Sequence, residues 1–301
     1  MKIFIFEFLL VLIMLLITIV ILLFKKYYEI YTKNKLNKNL TEKFSDQTSN
    51  ICVLYAYYEK NELYKNNFIY FLENGLIDNI DYYIIINGDC SVEIPKSKNI
   101  KVYQRENKGY DFGAYGYAIK RINKVYDYYF FINTSVKGPY LKDNSKKNWS
   151  MYFLELFNEE NVKLVGTTIN IYEKNSFAKY NLKEIYNKNA PFPHVQSMFF
   201  CIDSQYFNYL KEINFFDEEK LNEAQSINQI IAHHEFGLSQ NAIKNGWNIN
   251  SILPEYRNLD YRIITKDINE TSHGGDPYYP KSYFGKTLDK YDVIFFKNNR
   301  F

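Results

Sequence analysis

Cysteine is scarce: Cys52, Cys90 and Cys201 are the only three in 301 residues. Their odd number and wide spacing exclude a disulfide framework and a closely spaced thiolate metal site. They read as small buried thiols. An excess of charge is also lacking. Lys and Arg number 37 against 34 Asp and Glu, leaving +3. Broad electrostatic binding of nucleic acid needs a concentrated basic surface, so that function class is set aside. No internal repeat is visible. Aromatics are abundant instead, with 30 Tyr and 24 Phe. In a chain equally rich in Asn, Lys and Ile this reads as compositional bias, and is not by itself a sign of carbohydrate stacking.

The amino end carries one long apolar run. Residues 3–24, "IFIFEFLLVLIMLLITIVILLF", are apolar except for Glu7 and Thr18. At about 1.5 Å per residue such a helix reaches roughly 33 Å, enough to cross a hydrocarbon core of about 30 Å. Glu7 lies near one end, within reach of headgroups. A cleaved signal peptide would have a shorter core and a small-residue cleavage site, and "LLFKKYYEIY" offers none. The expectation is an uncleaved transmembrane anchor over 1–24. Lys25, Lys26, Lys33, Lys35 and Lys38 follow the span, against Lys2 before it. That imbalance favours a single-pass protein with its C-terminal part in the cytoplasm. Residues 25–49 are polar, without sustained periodicity, and read as a stem.

From residue 50 onward strand-like and helix-like segments alternate. "ICVLYAYY" (51–58), "DYYIIING" (81–88), "NIKVYQRE" (99–106) and "YDYYFFIN" (126–133) read as strands. "NELYKNNFIYFLENGL" (61–76) has helical spacing and ends near Gly75, and "GAYGYAIKRI" (113–122) reads as a second helix. This order predicts an α/β layered domain over 50–301 with a mainly parallel sheet. Ligands of such sheets bind beyond the carboxyl ends of the strands. Tyr57–Glu59, Asn87–Asp89, Arg105–Asp111 and Asn133–Lys137 are therefore expected around one crevice. Further on, "KLVGTTIN" (163–170) and "SMFFCID" (197–203) read as strands, 223–246 as helical segments, and 253–301 as loop with short elements.

The densest chemistry is in "RENKGYDFGAYGYAIK" (105–120). A strand end leads into Asn107-Lys108-Gly109, an acid at Asp111, then small residues opening a helix. Arg105 and Lys108 bring positive charge, and a helix start offers free N–H groups to phosphate or ribose oxygens. Asp111 suits a ribose hydroxyl or a metal. The plainer alternative is a tight loop with Asp111 as cap and glycines for packing.

Taken with "YYFFINTSVKGPYL" and "HHEFGLSQNAIKNGWNI", the segment "NKGYDFGAY" resembles the nucleotide-sugar domain of GT-A glycosyltransferases. The likeness extends to family 2 and to the rhamnan-synthesis type, over about residues 50 to 250. It implies a Rossmann-like nucleotide-binding half joined to an acceptor half. It also implies displacement of a nucleoside diphosphate from an activated sugar onto a glycan or polysaccharide acceptor. By the resemblance Glu235 is the general base, and Gly246-Trp247-Asn248-Ile249 matches the step that follows it. Single displacement with inversion is then expected. Tyr57, Asn87, Arg105, Asn107, Lys108, Gly109, Asp111, Asn133, Ser135 and Lys137 are expected at the donor. His194, Gln196, Ser197 and His234 are expected at the acceptor or donor sugar. His233 and His234 are adjacent, a poor geometry for a shared metal on a helix.

One departure matters. Asn133-Thr134-Ser135 stands where the larger family has Asp-x-Asp. Neutral side chains are weak ligands for Mg2+ or Mn2+, which prefer sites that include carboxylates. Three readings stay open: a metal carried by the diphosphate with help from Asp111, His273 or Asp276; no metal, with Lys137, Lys108 or Arg105 balancing the charge; or lost activity. The rivals to a membrane-anchored glycosyltransferase are a nucleotidyltransferase of similar build and an inactive, tethered binder of glycan or nucleotide sugar.

Overall fold

The structure, a computed structural model, describes residues 14, 17–26, 49–142, 145, 147–159, 161–173, 181–223 and 226–298. The chain divides into two units, Met1–Ser49 and Asn50–Phe301. In the first, residues 17–26 are helical and exposed. Most of the span expected at 3–24, and nearly all of the stem at 25–49, lie outside the described residues. Among the described residues no helix is long and apolar enough to cross a membrane.

The second unit is mixed α/β. It opens with β1 (Ile51–Tyr57), α1 (Glu62–Asn74), β2 (Ile80–Asn87), β3 (Ile100–Arg105), α2 (Tyr110–Ile119) and β4 (Tyr128–Asn133). Then come α3 (Trp149–Leu154), β5 (Val162–Gly166), β6 (Ile169–Tyr172), α4 (Leu182–Tyr186), β7 (Phe192–Val195) and β8 (Phe199–Asp203). The last group is α5 (Ser204–Glu212), α6 (Glu218–Asn222), α7 (Ile227–Ile230), a π-helical turn Ile231–Glu235, α8 (Phe236–Lys244), β9 (Asn248–Ser251) and α9 (Lys290–Val293).

Seven strands form one sheet in the order β3-β2-β1-β4-β8-β5-β9. β3, β2, β1 and β4 are parallel neighbours, β8 runs against both β4 and β5, and β9 is parallel to β5. β1 sends the chain to β2 and β3 on one side, and it returns to β4 on the other. The order therefore reverses between β1 and β4, where the carboxyl ends diverge and leave a crevice.

The apolar runs follow from burial on both faces. All seven residues of β1 are buried, whereas the edge strand β3 is mostly exposed or half-buried and carries Lys101 and Arg105. Neighbouring residues of β4 and β8 serve opposite faces. Phe130 and Phe199 meet Trp149 and Phe153 on one side. Phe131 and Phe200 stack at 4.4 Å on the other, against Tyr115 of α2. On the first face Phe68 of α1 stacks on Tyr57 at 4.2 Å. α1 starts where the Asn61 side chain accepts from the Tyr64 N–H, as an N-cap should.

Two sequence expectations change. The segment 163–170, read as one strand, is two. β5 stays in the main sheet, while β6 pairs antiparallel with β7 in a second, two-stranded sheet. The break sits at Gly166, where an added Cβ would lie 2.2 Å from Val195 Cγ1, so no side chain fits where β5 passes β7. The helix expected from 113 begins at Tyr110, after Gly109 and Tyr110 both take positive φ (68° and 56°).

Gly113 gives a test of that tight entry. Its added Cβ would sit 2.3 Å from the Lys108 carbonyl oxygen. In an open helix, Gly to Ala stabilises by roughly 0.5–1 kcal/mol. Here Gly113→Ala has to displace backbone, and should destabilise by about 1–3 kcal/mol. A urea midpoint that rises instead would show the loop yields freely.

Candidate functional site

β4 ends at Asn133, and its neighbour β8 is preceded by Met198, whose carbonyl accepts from the Asn133 N–H at 3.1 Å. This brings Ser197 beside the Asn133-Thr134-Ser135 corner. The corner is tied down from both sides. Thr134 Oγ1 accepts from the Tyr58 N–H at 3.2 Å, and the Thr134 carbonyl accepts from buried Asn67 at 2.9 Å.

Asn133 has a fixed orientation. Its Oδ1 accepts from the Ser135 N–H at 3.0 Å and from the Ser135 hydroxyl at 2.6 Å. A backbone N–H can only donate, so Oδ1 must face Ser135. That leaves Nδ2 to donate to Asp111 Oδ2, at 2.7 Å. Asp111 stands in the first turn of α2, with Oδ1 accepting from the Phe112 N–H at 3.1 Å.

Glu235 faces the same crevice from the π-helical turn, a distortion that recurs at functional sites. Its Oε2 accepts from the Ser197 hydroxyl and from the Ser197 N–H, and its Oε1 lies 3.7 Å from Nε2 of buried His194. The two carboxyls are pushed apart. Burial, together with the charge of Glu235, lifts Asp111 to about 6, against the pull of Asn133 and the Phe112 N–H. Burial would lift Glu235 too, but His194, Ser197 and the charge of Lys297 outweigh it and hold Glu235 at about 2.

Lys297 was not singled out in the sequence. It reaches the crevice because the last segment straps across the sheet. Lys137 and Phe296 exchange both backbone hydrogen bonds at 2.8 Å, and the Tyr140 N–H donates to the Ile294 carbonyl at 2.7 Å. Asn298 and Asn67 bond side chain to side chain. No signal in the sequence announces this long-range bridge.

The other expected donor residues have varied surroundings. Arg105 is a clamp: Nη1 donates to Asn87 Oδ1 at 2.9 Å and to the Lys108 carbonyl at 2.8 Å, and Nη2 donates to Asn222 Oδ1 at 2.6 Å. Asn87 in turn donates to the Tyr110 carbonyl at 3.1 Å. Both brace the loop 106–110 rather than present free groups. Asn107 and Lys108 are exposed, and Lys108 pairs with exposed Glu106 at 2.6 Å. A Cβ on Gly109 would lie 2.6 Å from the Leu221 carbonyl, so that close approach is to protein backbone. Buried Tyr57 donates to Glu59 at 2.7 Å. The Lys137 ammonium lies 4.9 Å from the Tyr70 ring centre.

Among the acceptor candidates, His194 and Ser197 hold Glu235. Gln196 is buried, accepting from Thr168 at 2.9 Å. His234 is wedged against Phe112 and Phe215, and burial, then His233, lowers it to about 4. It behaves as a neutral core histidine.

The expected metal set is not assembled. His273 and Asp276 close a tight turn on each other's backbone; Asp276 Oδ1 accepts from the Tyr278 N–H and the His273 ring packs on Tyr279. Among the described residues no three acid, His or Cys side chains gather to hold an ion. At the β4 corner both oxygens of Asp111 have donors, and the Asn133 oxygen is taken by Ser135. Asp111 is the single carboxylate at this corner, so Mg2+ or Mn2+ would have to draw its other oxygens from the donor's diphosphate and water.

No protein-family model matches this sequence, and no curated protein matches it. Among solved structures, a mannosyltransferase from Pyrobaculum calidifontis in complex with GDP-mannose and Mn2+ is similar in part, with TM-score 0.42 and 8% identity. The match covers 68% of this chain and 55% of that one, so the chain spans about half of its length. A galactosyltransferase, LgtC, in complex with donor and acceptor sugar analogues gives TM-score 0.35 and 10% identity, over 60% of this chain and 69% of that one.

Proposed function

We propose that the chain is a glycosyltransferase, moving a sugar from a nucleoside-diphosphate donor to a hydroxyl of a glycan or polysaccharide, and tethered to a membrane by residues 3–24. The observation that carries this reading is the pair of carboxyls at the β1/β4 reversal, Asp111 held by Asn133 and Glu235 held by Ser197 and His194, one near 6 and the other near 2. Pairs whose environments split their proton affinities mark acid–base assignments.

The roles follow from those affinities. A hydroxyl nucleophile must lose a proton as it attacks, and a base works best with a pKa near the working pH. Asp111 at about 6 meets this better than Glu235 at about 2. The base role expected at Glu235 is therefore assigned to Asp111. Glu235 stays ionised and acts as a fixed acceptor that orients a sugar hydroxyl, with Ser197 and His194 holding it. Asn133, with its amide fixed by Ser135, keeps the Asp111 carboxyl in place. The departing diphosphate gathers negative charge and needs a positive group nearby. Lys297, whose charge acts on Glu235 in the crevice, is assigned this role. No step is routed through a metal. With one base on the crevice and no second nucleophile assigned, a single displacement with inversion is the simplest course.

The test uses the full chain in detergent with a panel of nucleotide sugars, each with Mn2+, with Mg2+ and with chelator. Nucleoside diphosphate should be released from at least one donor, and release should persist with chelator. Release of pyrophosphate would point to nucleotidyl transfer. Binding of no nucleotide at all would sink the donor site. Strict dependence on Mn2+ would remove Lys297 from its role.

A further inference from the structure

Apart from the crevice, the tail encloses a cavity of about 410 Å3. That volume is in the range of sites for small ligands, roughly 300–1,000 Å3. Four tyrosines line it: Tyr140, Tyr152, Tyr283 and Tyr291. Tyr140 and Tyr291 meet edge to face with centres 6.2 Å apart, and the Lys290 ammonium lies within 5.0 Å of both ring centres.

The charges are uneven in their engagement. Lys142, Arg257 and Lys286 line the cavity together with Glu255 and Asp292. Both carboxylates already have donors: Tyr283 donates to Glu255, and the Asp289 N–H donates to Asp292 at 2.9 Å in a capping box. Lys142 and Lys286 belong to no ion pair among the described residues. Arg257 gives one amino group to the Ile252 carbonyl, and its Nε has no hydrogen-bond partner among the described residues. Glu159, Glu155 and Glu255 already act on Arg257 through space, so the free positive charge of this wall is that of Lys142 and Lys286.

From this geometry we propose that the cavity binds an anionic saccharide, one bearing a carboxylate or phosphate. Tyrosine rings offer an apolar face with a wet phenolic tip, which suits the C–H face and hydroxyls of a sugar. The unpaired cations suit the acid group. One short stretch of chain leads from the crevice to the cavity. Ile294 lines it, and three residues later Lys297 influences Glu235. Three residues span at most about 10 Å. That short stretch of backbone links the two sites, and the saccharide is read as the acceptor. Naming it the acceptor rests on the proposed transferase; the binding itself does not.

The experiment titrates the full chain in detergent with an oligogalacturonate, a mannose 6-phosphate oligosaccharide, a neutral malto-oligosaccharide and free nucleoside diphosphates. At least one acidic oligosaccharide should bind, and at least tenfold more tightly than the neutral one. The Lys142→Ala/Lys286→Ala pair should weaken it by about tenfold or more, the scale of two charge-assisted contacts. Tyr291→Ala should weaken it too, while Tyr291→Phe should not. Which acid binds distinguishes carboxylate from phosphate. Equal binding of neutral and acidic sugars, binding of neither acid, or unchanged affinity in the double variant overturns the proposal. So does a nucleotide whose affinity falls with Lys142 and Lys286. Saccharide binding without diphosphate release would sink the transferase and leave the cavity site standing.

Discussion

Asp111→Asn should abolish sugar transfer and remove a loss of stability between about pH 4 and pH 6. The activity loss follows from removing the proton acceptor, about 10^2–10^4-fold for a general base. The change in pH dependence follows from burial. The Asp111 carboxyl is raised from an ordinary value of 3.8 to about 6, mainly because its charged form is poorly solvated. A group with a raised folded pKa binds its proton more tightly in the fold, so stability falls as pH climbs from about 4 to about 6. Two pKa steps correspond to a few kcal/mol at most, and partial solvation reduces this to about 1–3 kcal/mol. Asparagine carries no charge, but its single oxygen accepts from Asn133 Nδ2 or from the Phe112 N–H and not from both, which costs the variant one hydrogen bond at every pH. The Tm of the variant relative to its parent should therefore start below zero at pH 4 and rise toward pH 7. Glu235 has the opposite sign. Held at about 2 against 4.5, it contributes stability that is complete above pH 4.5 and is lost as pH falls toward 2. A Tm difference that fails to move in favour of the variant between pH 4 and pH 7, or unchanged transfer, would contradict the assignment of Asp111.

What could be read from the sequence follows where the signals are local. β1, β2 and β4 are apolar runs because both faces of each are covered, and their run length and flanking polar residues delimit them well. α1 announces itself through Asn61 and its periodic Phe68 and Phe71. The polar residues at Asn133 and the acid at Asp111 stand out locally, at a strand end and a helix start. Their bond to each other does not, because it joins residues 22 apart through the register of β4 against α2. β7 escaped because four residues containing Pro193 and His194 give no alternation, and its pairing with β6 depends on Gly166 turning the chain out of the main sheet. Arg105 and Asn87 have the residue types of a phosphate site, yet their partners are protein carbonyls and amides. Nothing in the local sequence separates a guanidinium that holds a loop from one that holds a ligand. Lys297 is hidden for the same reason: its place depends on Lys137 pairing with Phe296 across 159 residues of chain.

That strap is the second place where a large effect is expected. Phe295 is 1% exposed and lies at the centre of one face of the sheet. Its ring is 4.4 Å from Phe199 and 5.1 Å from Trp149, with Phe71 and Phe153 at 6.4 Å. Replacing a buried Phe by Ala removes those contacts and leaves a cavity, which costs about 3–5 kcal/mol. For a unit of this size each kcal/mol is about 2–4 °C, so Phe295→Ala should lower Tm by roughly 6–20 °C. The functional consequence is separable from the loss of stability. Phe295 anchors the strand that presents Lys297, through the hydrogen bond from Tyr278 to its carbonyl at 3.1 Å and the neighbouring Lys137–Phe296 pair. Loosening the anchor should move the Lys297 ammonium away from Glu235. Transfer measured well below the lowered Tm should then be reduced as well, and to the same extent as in Lys297→Met, which leaves the core intact. Phe295→Leu refills most of the volume and should recover both properties together. If Phe295→Ala loses stability but keeps full transfer in the cold, the strap is structural only, and the charge that meets the departing diphosphate must come from elsewhere.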